Sequence, residues 1–304
     1  MADVAHGNFC PKRLVIFGCG YVGGELARQA VRRGVGVTAL TRNPDTAVRL
    51  RAEGVHVVEA DLASREWHAH VPESPWAFVN TVSSGGGGIE GYRRSYLAGM
   101  QSIAGWAKAA GAAGTAVYTS STSVYPQGDG ARVDEGASNR EAGERGEILL
   151  AAENVLRDLG ASGGVERWFI LRLAGLYGPG RHQLLEDVRA GAISGRGEHR
   201  LNLAHRDDVV AAIWAVLLAR AELRNEIFNV ADDAPAPKRE VVAWLSRRLG
   251  VAVPEFTGEP ARGRRAITPD RVIVNAKLRT MLGWAPRFPS FREGYENILS
   301  QAAE

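Results

Sequence analysis

Cysteine is nearly absent from this chain. Of 304 residues only Cys10 and Cys19 carry a thiol, one near the amino terminus and one inside a glycine turn. Two thiols so placed build neither a disulfide framework nor a metal cluster, and a reducing, cytoplasmic compartment is expected. No spacing of His, Cys, Asp and Glu suggests metal ligands, so no metal is expected. Long apolar runs are missing too: none approaches the roughly 20 residues needed to span a bilayer. The opening segment Met1 to Pro11 lacks the basic start and apolar core of a signal peptide. Charge of one sign is also lacking, since 37 Lys and Arg against 34 Asp and Glu leave a formal +3. That balance gives no electrostatic reason for nucleic acid or an anionic membrane as partner. No Gly-x-Ser-x-Gly elbow is present, which removes the usual support for a hydrolase. Internal repeats are absent as well.

What is present is an alternation of strand and helix patterns. Leu14 to Phe17 is a short apolar run of the kind buried on both faces of a parallel sheet. Val22, Leu26 and Ala30 then recur at helical spacing, and Gly34 ends that helix. Strands are expected at Val35 to Leu40, His56 to Glu59, Ala77 to Val82, Ala116 to Thr119 and Arg167 to Leu171. Helices are expected at Asp45 to Ala52, Tyr92 to Ala110 and Gly146 to Leu159. This order predicts an α/β fold, a Rossmann doubly wound parallel sheet with right-handed crossovers. After Gly180 the rhythm changes. Helical patterns at Asp207 to Ala219, Lys238 to Leu249 and Ala276 to Leu282 surround a strand at Glu226 to Val230, and the stretch Val253 to Pro269 is rich in Pro and Gly. The expected division is a nucleotide domain over 12–175 and a smaller substrate lobe over 176–304, part of whose chain can return to the first domain. Gly85 to Gly88 is the clearest loop.

The first strand runs into Gly18-Cys19-Gly20-Tyr21-Val22-Gly23, a Gly-x-Gly-x-x-Gly turn between strand and helix. In that context Gly18 permits the tight turn, Gly20 lets backbone approach a pyrophosphate, and Gly23 lets helix and sheet pack closely. The helix N-terminus supplies free N–H groups and a positive dipole end. A dinucleotide is therefore expected here, with Tyr21 and Val22 also against it. The end of the second strand reads Thr41-Arg42-Asn43, without the carboxylate that would bond the ribose hydroxyls of NAD. Arg42 is placed to pair with a 2′-phosphate, so NADP is preferred and NAD stays open.

Several spaced segments make the chain similar to the extended short-chain dehydrogenase/reductases, the NAD-dependent epimerase/dehydratase family. They are Asp61-Leu62, Thr119 to Tyr125, Arg172 to Gly180, His205 with Asp208-Val209, Phe228-Asn229-Val230 and Leu282 to Pro286. The resemblance implies that Asp61 and Leu62 contact adenine, that Thr81 and Leu173 line the cofactor, and that Ser121 is the catalytic hydroxyl. It also allows a homodimer through the helices at 92–110 and 146–159. The departure is at the active site. Members carry a Tyr-x-x-x-Lys pair followed four residues later by Glu. Matching that Glu to Glu153 puts Arg145 at the tyrosine position and Leu149 at the lysine position. No tyrosine lies between Tyr125 and Tyr177, and no lysine between Lys108 and Lys238. The chain thus resembles an atypical, YeeZ-like branch.

An arginine stays protonated and cannot be a base, and leucine has no charge, so the ordinary proton relay is missing. Tyr96 stands where members carry an asparagine linked to that relay, and its phenol is a candidate replacement acid. Tyr125 reads as structural, His205 as structural or orienting, and Arg181 with His182 as candidates to meet an anionic substrate. Two functions stay open. One is an NADP-dependent oxidoreductase or epimerase on a small polar, sugar-like or carbonyl substrate. The other is a redox sensor that binds NADP(H) without turnover.

Overall fold

The computed structural model describes residues 12–111, 113–259 and 269–301. The segment Met1 to Pro11 with Cys10, and most of the Pro- and Gly-rich stretch near 260, lie outside the described residues. Seven parallel strands form the main sheet: β1 (Arg13–Phe17), β2 (Gly36–Thr41), β3 (His56–Glu59), β4 (Ala77–Asn80), β5 (Ala113–Ser121), β6 (Val165–Leu173) and β7 (Glu226–Val230). Their order is β7-β6-β5-β4-β1-β2-β3. The order reverses beside β1, between β2 and β4, and ligands of such sheets bind outside the carboxyl ends of the strands at that point.

The apolar runs are continuous because both faces are covered. On β1, Leu14 and Ile16 join a core with Leu26 and Ile213, while Val15 and Phe17 join another with Trp67, Trp106 and Leu156. Helix α1 (Tyr21–Arg32) buries Val22, Leu26, Ala27 and Ala30 along one stripe. Burial of one such aliphatic side chain contributes about 1.5–3 kcal/mol. Gly34, at φ +72°, turns the chain out of that helix, and the Val35 amide donates to the Ala30 carbonyl. Helix α2 (Pro44–Ala52) starts at an Asn43 cap whose side chain accepts from the Thr46 amide.

Two helices depart from the sequence expectation, and the strand at Glu226–Val230 joins the main sheet. The helix expected from Tyr92 begins earlier. It runs through Gly88–Tyr92, a π-helical stretch at Arg93–Ala98, and Gly99–Ala109, together α3. Hydrophobic spacing alone does not reveal one extra residue per turn. Helix α4 (Gly143–Ala161) is longer at both ends than its apolar pattern, because terminal turns need no buried face. Strand β7 pairs in parallel with β6 and so belongs to the main sheet. Helix α5 (Arg206–Leu217), between β6 and β7, contributes Val209, Ile213 and Val216 to the core on the α1 side. A separate buried cluster around Tyr177, Leu185, Val241, Leu245, Phe291 and Tyr295 unites the helices Gln183–Arg189, Lys238–Leu249 and Phe291–Gln301.

Candidate cofactor and substrate crevice

The glycine turn leaves β1 with Gly18 at φ +86°, and a Cβ there would stand 2.5 Å from the Val82 side chain. A Cβ on Gly23 would fall 2.5 Å from Thr81 Oγ1 and closer still to the Gly18 carbonyl. Thr81 is the pin of this turn: its amide donates to the Phe17 carbonyl at 2.8 Å and its hydroxyl to the Gly18 carbonyl at 2.6 Å. Gly20 is different. Nothing lies within 4 Å of the position its Cβ would take, so the backbone presents an open face at the start of α1. No side chain caps that helix and its first turn holds no acid. Open backbone and uncapped amides at a helix N-terminus suit a pyrophosphate.

Tyr21 and Val22 stand in the first turn of α1. Val22 is buried, while the Tyr21 ring lies 5.6 Å from the Arg181 guanidinium and 5.3 Å from that of Arg206. Burial pushes the Tyr21 phenol up to about 12. Cys19 is buried, its thiol donates to the Ile16 carbonyl at 3.6 Å, and burial pushes it up to about 12. It is a packing residue and no nucleophile.

At the far ends of β2 and β3 lie Arg42, Asp61 and Leu62. Arg42 is exposed, and its guanidinium occupies the space a Cβ on Gly85 would need. Asp61 accepts from the Ala63 amide at 2.9 Å and from Arg94 Nε at 3.0 Å. Partial burial opposes ionisation there, but that amide and the Arg94 and Arg42 charges hold the carboxyl below its usual range. Leu62 is buried, and its side chain meets Gly99 of α3.

On the substrate side, Ser121 ends β5 and pairs with Leu173, the buried last residue of β6. Its oxygen accepts from the Ser123 amide at 3.1 Å, capping a short 3-10 turn. The hydroxyl proton is not spent on that bond. Tyr96 packs against Tyr92 with the rings tilted by 52° and their centroids 4.5 Å apart. Its phenol is pushed well up by burial and by Tyr92, against the pull of the Ser84 backbone. The Arg145 guanidinium lies 5.7 Å from the Tyr92 ring centroid, so the residue at the family's tyrosine position meets the face of a tyrosine from the opposite helix. Leu149, at the lysine position, is wholly buried in the core. Tyr96 alone is expected from the sequence, and Tyr92 is missed there; the four-residue spacing, which puts both on one helix face, is the signal that finds the pair.

Other motif residues serve below the crevice. Glu153 of α4 and Arg172 of β6 form a buried two-pronged pair, at 3.1 Å and 2.7 Å. Ser120 donates to Glu153 at 2.6 Å, Arg172 donates to the Tyr125 phenol at 2.9 Å, and Tyr125 donates to Asn229 at 2.8 Å. His205 caps α5 by accepting from the Asp207 amide at 3.3 Å, and burial drives its ring down to about 4. His182 contacts the Gly178 carbonyl and Glu186, each at 3.3 Å. Among the described residues no group of three or more His, Cys, Asp and Glu could hold a metal ion, and no helix is long and apolar enough to cross a membrane.

The sequence profile of the NAD dependent epimerase/dehydratase family matches residues 14–231, from the first strand to the end of the seventh. The chain belongs to that family. Within it, protein YeeZ of Escherichia coli is 29% identical over 284 residues, covering 91% of this chain and 97% of YeeZ. A 3-diazoavenalumate denitrifying reductase from a Streptomyces species is 27% identical over 316 residues, covering 92% and 98% of the two chains. Among solved structures, MoeE5 in complex with UDP-glucuronic acid and NAD superposes with a TM-score of 0.82 at 22% identity, over 96% of this chain and 99% of MoeE5. The resemblance to the NAD-dependent epimerase/dehydratase family, on its YeeZ-like branch, and the Rossmann architecture both hold.

Proposed function

We propose that this protein is an NADP-dependent oxidoreductase, or an epimerase working by the same hydride exchange, that acts on a small polar substrate with a carbonyl-like or sugar-like acceptor. The observation that carries the reading is the glycine turn: Gly20 opens toward an uncapped helix N-terminus while Gly18 and Gly23 are locked by Val82 and Thr81. Gly18, Gly20, Tyr21, Val22 and Gly23 hold the pyrophosphate, Asp61 and Leu62 the adenine, Thr81 and Leu173 the walls, and Arg42 the 2′-phosphate. NAD remains the weaker alternative, since no carboxylate ends β2. The bound dinucleotide supplies or takes the hydride. Ser121 donates a hydrogen bond from its unspent hydroxyl to the substrate oxygen and fixes its position. Tyr96, packed against Tyr92, whose ring meets Arg145, supplies the phenol in place of the missing relay and exchanges the proton. Named relatives agree with this chemistry in kind: one is a reductase, and MoeE5 was captured with a UDP-sugar. The substrate comes from solution, with neither nucleic acid nor membrane as partner; the compartment is the cytoplasm, and the assembly a homodimer through α3 and α4.

A second reading, a redox sensor that holds NADP(H) without turnover, is favoured by one observation. Leu149 is wholly buried and Arg145 is a permanent cation, so neither can shuttle a proton. One experiment separates the two. NADPH and NADH are titrated by nicotinamide fluorescence, and NADPH consumption is then followed with a panel of carbonyl compounds and nucleotide sugars. The expected result is tighter binding of NADPH and compound-dependent oxidation that Tyr96→Phe slows by about 10²-fold or more, the low end for a general acid. Binding without oxidation across the panel favours the sensor. Failure to bind either cofactor overturns both readings.

A further inference from the structure

Arg42, Asp61, Arg94 and the glycine run stand together at the ends of β2 and β3, and their arrangement is not explained by folding alone. Arg42 does no work for the helix that follows it. Asn43 is the cap, and Thr41 Oγ1 accepts the Asn43 amide at 3.2 Å. Its guanidinium reaches across to Gly85, where any side chain would collide with it. The run that makes this room has φ of +58°, +98°, +79° and +61° at Gly85, Gly86, Gly87 and Gly88. Four successive left-handed residues are open to glycine alone without strain on the order of 1 kcal/mol or more at each. At its first position, Gly85, the run leaves room for an exposed arginine.

Arg94 faces the same place from α3. It lies in the π-helical stretch Arg93–Ala98, a geometry that recurs at functional sites. Its Nε binds Asp61 at 3.0 Å while its side chain is 62% exposed, so its terminal NH2 groups stay available to a ligand. Asp61 also feels Arg42. Two arginines and one carboxylate leave a net positive charge, and the carboxylate, already held by the Ala63 amide, acts as a brace for Arg94.

We propose that Arg42, given room by Gly85, and Arg94, braced by Asp61, form one anion site that takes a phosphate monoester on the 2′-oxygen of a ribose. This inference rests on the cofactor reading above and deepens it: it makes Arg94 and Gly85 determinants of NADP selection alongside Arg42. A monoester carries about −1.5 to −2 charges at neutral pH and offers three acceptor oxygens, enough for two planar guanidinium forks. The 2′-position is favoured over the 3′-position or free phosphate by place. A dinucleotide with its pyrophosphate on α1 sets its adenosine ribose beyond the carboxyl ends of β2 and β3.

The test is calorimetry with 2′,5′-ADP, 3′,5′-ADP, 5′-AMP and inorganic phosphate, together with NADPH and NADH titrations. Wild type, Arg94→Ala, Arg94→Lys and Gly85→Ala are compared, and melting temperatures report whether each variant is folded. Arg94→Ala is expected to weaken 2′,5′-ADP and NADPH by about tenfold, the scale of one charge-assisted hydrogen bond. It should leave 5′-AMP and NADH within about twofold, and Arg94→Lys should recover part of the loss. Gly85→Ala, which displaces Arg42, should show the same selective loss. The proposal is overturned if Arg94→Ala weakens NADPH and NADH equally, or if wild type binds 3′,5′-ADP or inorganic phosphate as well as 2′,5′-ADP. Failure of NADPH to bind while 2′,5′-ADP still binds through Arg94 would sink the enzyme reading and keep the site. Binding of neither would end both.

Discussion

Gly20 and Gly23 are three residues apart and do opposite jobs. Gly23 is needed by the fold, because the Gly18 carbonyl and Thr81 Oγ1 already occupy the space of a methyl group. Gly20 is not needed by the fold, because its missing side chain opens onto free space, where the proposed pyrophosphate would lie. Gly23→Ala must push the turn off its threonine pin. It is expected to lower the melting temperature by several degrees, the consequence of about 1–3 kcal/mol of overpacking, and to abolish cofactor binding. Gly20→Ala is expected to melt as wild type does while weakening NADPH by about tenfold or more, since its methyl group meets only the pyrophosphate. Thermal denaturation and fluorescence titration of both variants check the pair. Equal melting points for the two would refute the distinction. At this scale the motif spacing was readable, because a strand–turn–helix with those glycines has few other physical explanations. The pinning role of Thr81 became visible only with the turn folded against β4.

At the scale of elements, the sheet strands were legible because burial on both faces leaves unbroken apolar runs such as Leu14 to Phe17. Membership of β7 in that sheet was harder to read. Its residues show a strand, but which neighbour they pair with is decided by the crossover through α5. The pairs Gly175–Tyr177 with Leu203–His205 and Ala131–Val133 with Arg271–Ile273 are too short to leave a periodic pattern. The π turn hid the approach of Arg94 to Asp61, since face assignments assume 3.6 residues per turn. Tyr125, which the sequence reads as structural, joins elements together with other motif residues: Glu153 on α4, Arg172 on β6, Tyr125 after β5 and Asn229 on β7 are linked in one buried network. Both members of the ion pair are at most 3% exposed. Glu153→Gln removes the charge but leaves Arg172 buried, and is expected to destabilise the protein by about 3–5 kcal/mol in urea unfolding. A double change, Glu153→Gln with Arg172→Met, should cost less than the single one, because no unpaired charge is left inside. A double variant weaker than the single would show that the network stabilises by packing, not by charge pairing.

For the whole molecule, the junction between the sheet and the helices around Tyr177 is built with buried titratable groups, and their signs set the pH range of the fold. Asp208 accepts from the Arg287 and Phe288 amides at 2.7 Å and 3.1 Å, tying the segment after Trp284 to α5. Burial pushes its carboxyl up to about 6. Asp232, just beyond β7, is 4% exposed. Burial first, then the nearby Asp233 and Asp208, push it up to about 8 against the Leu203 and Ala234 amides. A carboxyl with a raised folded pKa holds a proton that the unfolded chain releases near pH 4, so stability falls as pH rises and levels off above the folded value. His205, driven down to about 4, works in the opposite sense: the unfolded ring gains a proton below about 6.5 that the folded ring refuses, so stability falls as pH drops from there to 4. Between pH 7 and 9 His205 and Asp208 have finished titrating, and Asp232 dominates among these groups. Melting temperature is therefore expected to decline across that window, by an amount equivalent to about 1–2 kcal/mol. Asp232→Asn keeps the shape and loses the charge, so it should flatten the decline and raise the melting temperature most at pH 9. A slope unchanged in the variant would mean that Asp232 is ionised throughout the window, with its charge met by donors near the junction and no linkage to folding.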